Sequence, residues 1–150
     1  IRYNIGFLHS EKGASNEAIR ILKNLQVREF LKIKRSFLLA REYFKIGKGE
    51  EAFKEMNVGM QMCQEEGNTE YHHHYMILRS FHDGSSDEKI ESIVNKAVDY
   101  FEKHRLYGYV DDYLSRLANY FLEKENHQKA SLYYRRAHDC RQGRLVSENV

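Results

Sequence analysis

The chain has 150 residues, 24 basic and 22 acidic, with no proline and no tryptophan. A formal net charge of +2 excludes a strongly basic nucleic-acid binder, and the lack of any run of 18 apolar residues excludes a helical membrane span. Ordinary proteins carry about 5% proline, so its absence favours uninterrupted helices.

The first pattern along the chain is a spacing. Gly13 and Gly47 lie 34 residues apart, as do Ala18 and Ala52. Asn4-Ile5-Gly6, Glu17-Ala18 and Leu22 are matched by Leu38-Leu39-Ala40, Glu51-Ala52 and Met56. A period of about 34 residues is that of the tetratricopeptide repeat, a helix–turn–helix unit that buries its apolar face only by stacking on a neighbour. The expected fold is therefore all-α: a tetratricopeptide-repeat (TPR) right-handed superhelix of about four helix hairpins, or eight helices.

Repeat one is expected over about 1–29, with helices at 1–12 and 16–29 around a Gly13-Ala14-Ser15 turn. Repeat two spans about 33–66, with helices at 33–46 and 50–66, a turn at Gly47 and Gly49, and a stop at Gly67-Asn68. Repeat three, about 69–104, is irregular, with helices at 69–82 and 87–104. Ser85 and Glu88 read as a capping box between them. Ile90, Val94, Ala97, Val98 and Phe101 then recur at helical spacing. Repeat four, about 109–142, has helices at 109–124 and 127–142, with Asp111-Asp112 capping the first and a frayed tail at 143–150. The whole reads as a single TPR domain. Ile1 falls inside a repeat's first helix, so a further segment is expected before it.

Motifs for chemistry are sparse. There is no phosphate-binding GxxxxGK[ST] and no GxSxG elbow. His72-His73-His74 point about 100° apart on a helix and make a poor chelate. Asp83, Ser85 and Asp87 resemble the start of a calcium loop, but Glu88 and Val94 stand where glycine and glutamate are needed. Cys63 and Cys140 are too few for a disulfide framework and suit reduced thiols in a cytoplasmic protein. No metal, cofactor or catalytic residue is expected.

The first helix of each repeat lines the concave groove. This places Tyr3, Asn4, Phe7 and Ser10 there from repeat one, and Phe37, Leu38, Arg41 and Phe44 from repeat two. Repeat three adds His72, Tyr75, Met76, Arg79 and His82, and repeat four Ser115, Arg116 and Asn119. Amides can clamp a peptide backbone, guanidinium groups can take a carboxylate, and rings can form side-chain pockets, so the expected ligand is a short extended peptide.

Several stretches carry a resemblance. These are Arg2-Tyr3-Asn4-Ile5-Gly6, the segment from Ser36 to Gly47, Tyr100-Phe101-Glu102-Lys103-His104-Arg105-Leu106-Tyr107, and Leu117 to Phe121 followed by Lys129 to Tyr134. With the Ser147-Glu148-Asn149-Val150 ending, this ordered series resembles the Rap proteins of bacilli. The resemblance implies the carboxy-terminal TPR sensor of a response regulator aspartate phosphatase or blocker. Such proteins act in quorum sensing and in sporulation or competence control. It also implies a short imported signalling peptide (Phr-like) as partner, with Asn4 matching an asparagine that holds the peptide backbone. The response regulator would dock on an amino-terminal three-helix bundle that these residues lack. The fragment is therefore expected not to be an enzyme itself, and its truncated first repeat exposes an apolar face that could pair with a second copy. Two alternatives remain: the sensor half of a peptide-responsive transcription regulator, and a generic TPR scaffold.

Overall fold

A computed structural model describes residues 14–24 and 29–148. Among them are seven helices and no strand: α1 (Ser15–Asn24), α2 (Glu29–Lys45), α3 (Gly49–Glu66), α4 (Thr69–Ser80), α5 (Asp87–Lys103), α6 (Tyr107–Glu123) and α7 (His127–Glu148). No described helix is long and apolar enough to cross a membrane. The helix expected at 1–12, and with it Tyr3, Asn4, Phe7, Ser10 and Gly13, lies outside the described residues. The chain divides into two compact units, between Arg79 and Ser80.

In the amino-terminal unit α1 packs on α2 and α2 on α3. Ala18 and Ala52, two of the residues that mark the period, are both fully buried, three residues into α1 and α3. Leu22, Ile33, Leu38, Leu39, Met56 and Leu78 fill the core around them.

In the carboxy-terminal unit α5 packs on α6 and α6 on α7. Val94, Phe101, Leu114, Leu117 and Phe121 are buried at helical spacing. Phe101 stacks on Tyr113 and Phe121 on Tyr133, with centroids 5.8 and 5.9 Å apart.

Helix ends depart from expectation in instructive ways. Ser86, not Ser85, caps α5: its hydroxyl accepts the Lys89 backbone N–H at 3.2 Å. Ser85 instead turns back, its N–H donating to the Asp83 carboxylate at 3.0 Å. Asn68 and Asn126 cap α4 and α7 through their side-chain oxygens. The helix α6 starts at Tyr107, so Asp111 and Asp112 sit in its second turn and are not caps. Asp111 accepts from Arg141 of α7 at 2.5 Å. The helix α7 runs on to Glu148, past the end at 142 expected from sequence.

The α5–α6 and α6–α7 turns place Arg105 and Glu125 at φ of 59° and 61°, the slot that Gly47 fills after α2. A Cβ in that region costs about 1–2 kcal/mol. Glu125→Gly is therefore expected to stabilise the unit by roughly 0.5–1 kcal/mol, less than the full strain because glycine also loosens the unfolded chain. Urea denaturation of the two proteins measures it, and an unchanged or lower midpoint would show that the turn is not strained.

Candidate functional site

Three of the ring and leucine positions expected in a groove belong to the core. Phe37, Leu38 and Tyr75 are 8%, 2% and 0% exposed. Phe37 meets Tyr75 edge-on at 5.4 Å and Tyr71 at 6.0 Å, which ties α2 to α4. The Tyr75 hydroxyl donates to the Ile33 carbonyl at 2.6 Å. Helical register alone does not separate these positions from exposed ones, because the aromatic rings of α2 and α4 close on one another. They support the surface from beneath and leave no ring area for a ligand.

The polar candidates are more accessible. Arg41 is half-buried, its Nε 3.6 Å from the buried Glu42 carboxylate, which also accepts from Lys45 at 3.0 Å. The three consecutive histidines diverge: His72 is exposed, His73 half-buried and His74 buried. Burial first, then the neighbouring His73 and Lys34, push the His74 imidazole down to about 3.

A cleft of about 630 Å³ runs along the seam of α3 and α4. One wall carries the carboxamides of Asn57, Gln61 and Gln64, and the other carries His72 and Arg79. The Arg79 guanidinium lies 3.1 Å from the Met76 sulfur and 4.0 Å from that of Met60. Cys63 also borders the cleft, but burial and nearby Glu66 push its thiol up to about 11, so it is an inert neighbour and no nucleophile. Repeat register points to Arg79 and His72 but misses the α3 wall, since the second helix of a hairpin is not expected to face a ligand.

On the carboxy-terminal unit, Arg116 is exposed with its guanidinium 5.4 Å above the Phe81 ring. Phe81 in turn meets Tyr120 at 5.6 Å. Burial and the adjacent Arg116 lower the His82 pKa. The Tyr120 hydroxyl donates to Asp87, and burial together with that carboxylate pushes the phenol up to about 12. Asn119 is exposed and accepts from the Tyr134 hydroxyl. Arg116 and Asn119 therefore form an accessible cation and amide on α6.

A further polar group joins α5 to α7. Glu91 accepts from Lys129 at 2.7 Å and from the Tyr133 hydroxyl at 2.5 Å. Asn95 donates to the Tyr133 oxygen at 3.0 Å and accepts from Arg136 at 2.8 Å. Burial alone would raise the Glu91 pKa, but the bonds from Lys129 and Tyr133 prevail and lower it. Its members lie 38 to 42 residues apart, so nothing local in the sequence marks them. They brace two helices.

No protein-family model matches the chain. It is 29% identical over 106 residues to the regulatory protein RapF of Bacillus subtilis (strain 168), a match covering 71% of this chain and 27% of that protein. The crystal structure of aspartyl phosphate phosphatase F from Bacillus subtilis superposes with a TM-score of 0.72 and 26% identity, over 94% of this chain and 38% of that one. The Rap conjugation gene regulator of the plasmid pLS20, in complex with the Phr* peptide, superposes with a TM-score of 0.78 over 95% of this chain and 39% of its own. At 18% identity that likeness concerns the fold. The chain thus spans between about a quarter and two fifths of the length of the relatives it matches. Over the matched residues the chain is similar to RapF, and it shares the helical fold of the two Rap structures.

Proposed function

We propose that these residues form the peptide-sensing repeat region of a Rap-like regulator. The hairpins are read as TPR units of a right-handed superhelix of about four hairpins and eight helices. The observation that carries the reading is the fold shared with a Rap regulator bound to the Phr* peptide, over 95% of this chain. It is supported by accessible amides and guanidinium groups on helices built over ring-filled cores.

The proposed ligand is a short linear peptide. Its contacts on the amino-terminal unit are Tyr3, Asn4, Phe7, Arg41 and Arg79. On the carboxy-terminal unit they are Arg116 and Asn119. Phe37 and Tyr75 hold the α2 and α4 backbones beneath the ligand. A peptide touching several repeats favours one packing of the hairpins, and it shifts the balance only by its difference in affinity between two packings. The whole protein is proposed to be a cytoplasmic regulator of a response regulator, in quorum sensing and in sporulation or competence control. Its target, and any aspartyl phosphate phosphatase activity, are assigned to parts outside this repeat region.

Fluorescence anisotropy with labelled linear peptides tests the reading. Saturable binding is expected, and Asn4→Ala should weaken it tenfold or more with an unchanged circular dichroism spectrum. Saturable binding that Asn4→Ala leaves intact removes Asn4 from the site. Absence of saturable binding overturns the reading.

A further inference from the structure

The cleft between α3 and α4 is built from two facing stripes. Asn57, Gln61 and Gln64 follow i, i+4, i+7 spacing and share one face of α3, while His72 and Arg79 lie seven residues apart on α4. Three carboxamides in a row supply both donors and acceptors at intervals along one wall. Gln61 uses its amide nitrogen toward Glu65 at 3.0 Å, which leaves its carbonyl oxygen as an acceptor.

Arg79 is the distinguishing feature. Among the described residues it makes no ion pair, and its hydrogen-bond partners are the thioether sulfurs of Met60 and Met76. A thioether is a weak acceptor, whereas a guanidinium presents five donors in a planar fork that fits a carboxylate. The methionines fix the group in the cleft without neutralising it. An anion entering there meets a positioned, partly desolvated cation.

We propose that this cleft holds the carboxylate-bearing end of an extended peptide, with Arg79 on the carboxylate and Asn57, Gln61 and Gln64 on the backbone. The inference rests on the peptide-sensing reading and deepens it by assigning a polarity and a second-helix wall to the site. Seven helical steps from Asn57 to Gln64 span about 10 Å, at ~1.5 Å each. An extended peptide rises ~3.3 Å per residue, so the wall accommodates about three residues. The carboxylate is either the peptide's terminus or an Asp or Glu side chain.

The test uses the isotope-labelled full-length protein and three pools of N-acetylated tetrapeptides, followed by NMR at Arg79 Nε and the side-chain amides of Asn57, Gln61 and Gln64. The pools are free acids lacking Asp and Glu, C-terminal amides containing them, and amides lacking both. Shifts at those four groups with the first pool assign a terminal carboxylate, and with the second a side-chain one. In either case Arg79→Gln should weaken the response at least tenfold, and the third pool should bind weakly. Equal response to all three pools overturns the carboxylate assignment. Shifts elsewhere with the cleft silent overturn this site and leave the peptide-sensing reading standing. Silence of the whole protein to every pool overturns both.

Discussion

Gly59→Ala is expected to destabilise the amino-terminal unit by roughly 2–3 kcal/mol, despite the ~1 kcal/mol by which alanine exceeds glycine inside a helix. A Cβ built at Gly59 would stand 1.9 Å from the Tyr75 hydroxyl oxygen and 2.2 Å from the ring carbon that bears it. The ring has nowhere to retreat. It is fully buried, braced edge-on by Phe37 and hydrogen-bonded to the Ile33 carbonyl at 2.6 Å. Displacing it also forfeits that buried bond, worth about 1 kcal/mol net. The slot ten residues into α3 is glycine, while alanine fills the same slot of α5 and α7, at Ala97 and Ala137. Both alanines are fully buried, so the slot is an inward-facing one in these helices and the glycine answers to Tyr75 in particular.

A double-mutant cycle isolates the cause. Tyr75→Leu removes the ring and its hydrogen bond and should itself cost a few kcal/mol as a cavity. Combined with Gly59→Ala, the loss should fall short of the sum by about 1–2 kcal/mol, because the methyl then occupies part of the vacated space. Urea midpoints give each corner of the cycle. Strict additivity would mean that Gly59 is needed for some reason other than Tyr75.

Acidification should weaken the same unit through His74. Its side chain is 4% exposed, lies against Phe37 and Tyr71, and has Nε2 at 3.8 Å from Glu70. Folding lowers its pKa from the ordinary 6.5 to about 3, mainly by burial. The unfolded chain therefore takes up a proton that the folded chain refuses. The contribution of this group is complete above pH 6.5 and is lost as pH falls toward 3, by at most ~1.4 kcal/mol per pH unit. Between about pH 7.5 and 5 the expected loss is about 2 kcal/mol. His73, lowered first by burial, acts in the same direction. His74→Phe should accordingly flatten most of the slope without abolishing it. An identical pH profile of the urea midpoint in both proteins would show that His74 is protonated without cost.

Gly59 and His74 both owe their roles to residues far from them in the chain. The glycine sits in an ordinary helical stretch, and the steric conflict arises only when Tyr75, sixteen residues on, folds against it. Helical geometry makes the three histidines diverge, yet which of them is buried depends on where Phe37 of α2 comes to rest.

Local pattern determines the helices. The glycines and the apolar stripes depend on neighbours within one or two turns, so the helices at 49–66 and 87–103 follow almost to the residue from sequence. The 34-residue spacing identifies Ala18 and Ala52 as equivalent buried positions. The side chains that face a ligand are decided by tertiary structure. Phe37 and Tyr75 share helical register with Arg41 and Arg79, and only the closure of α4 on α2 and α3 buries the rings while leaving the guanidiniums half-buried. The carboxamide wall of α3 and the Glu91–Tyr133–Arg136 group likewise exist through contacts between helices. A sequence encodes periodicity through nearby residues, whereas a site is made where distant residues are packed together.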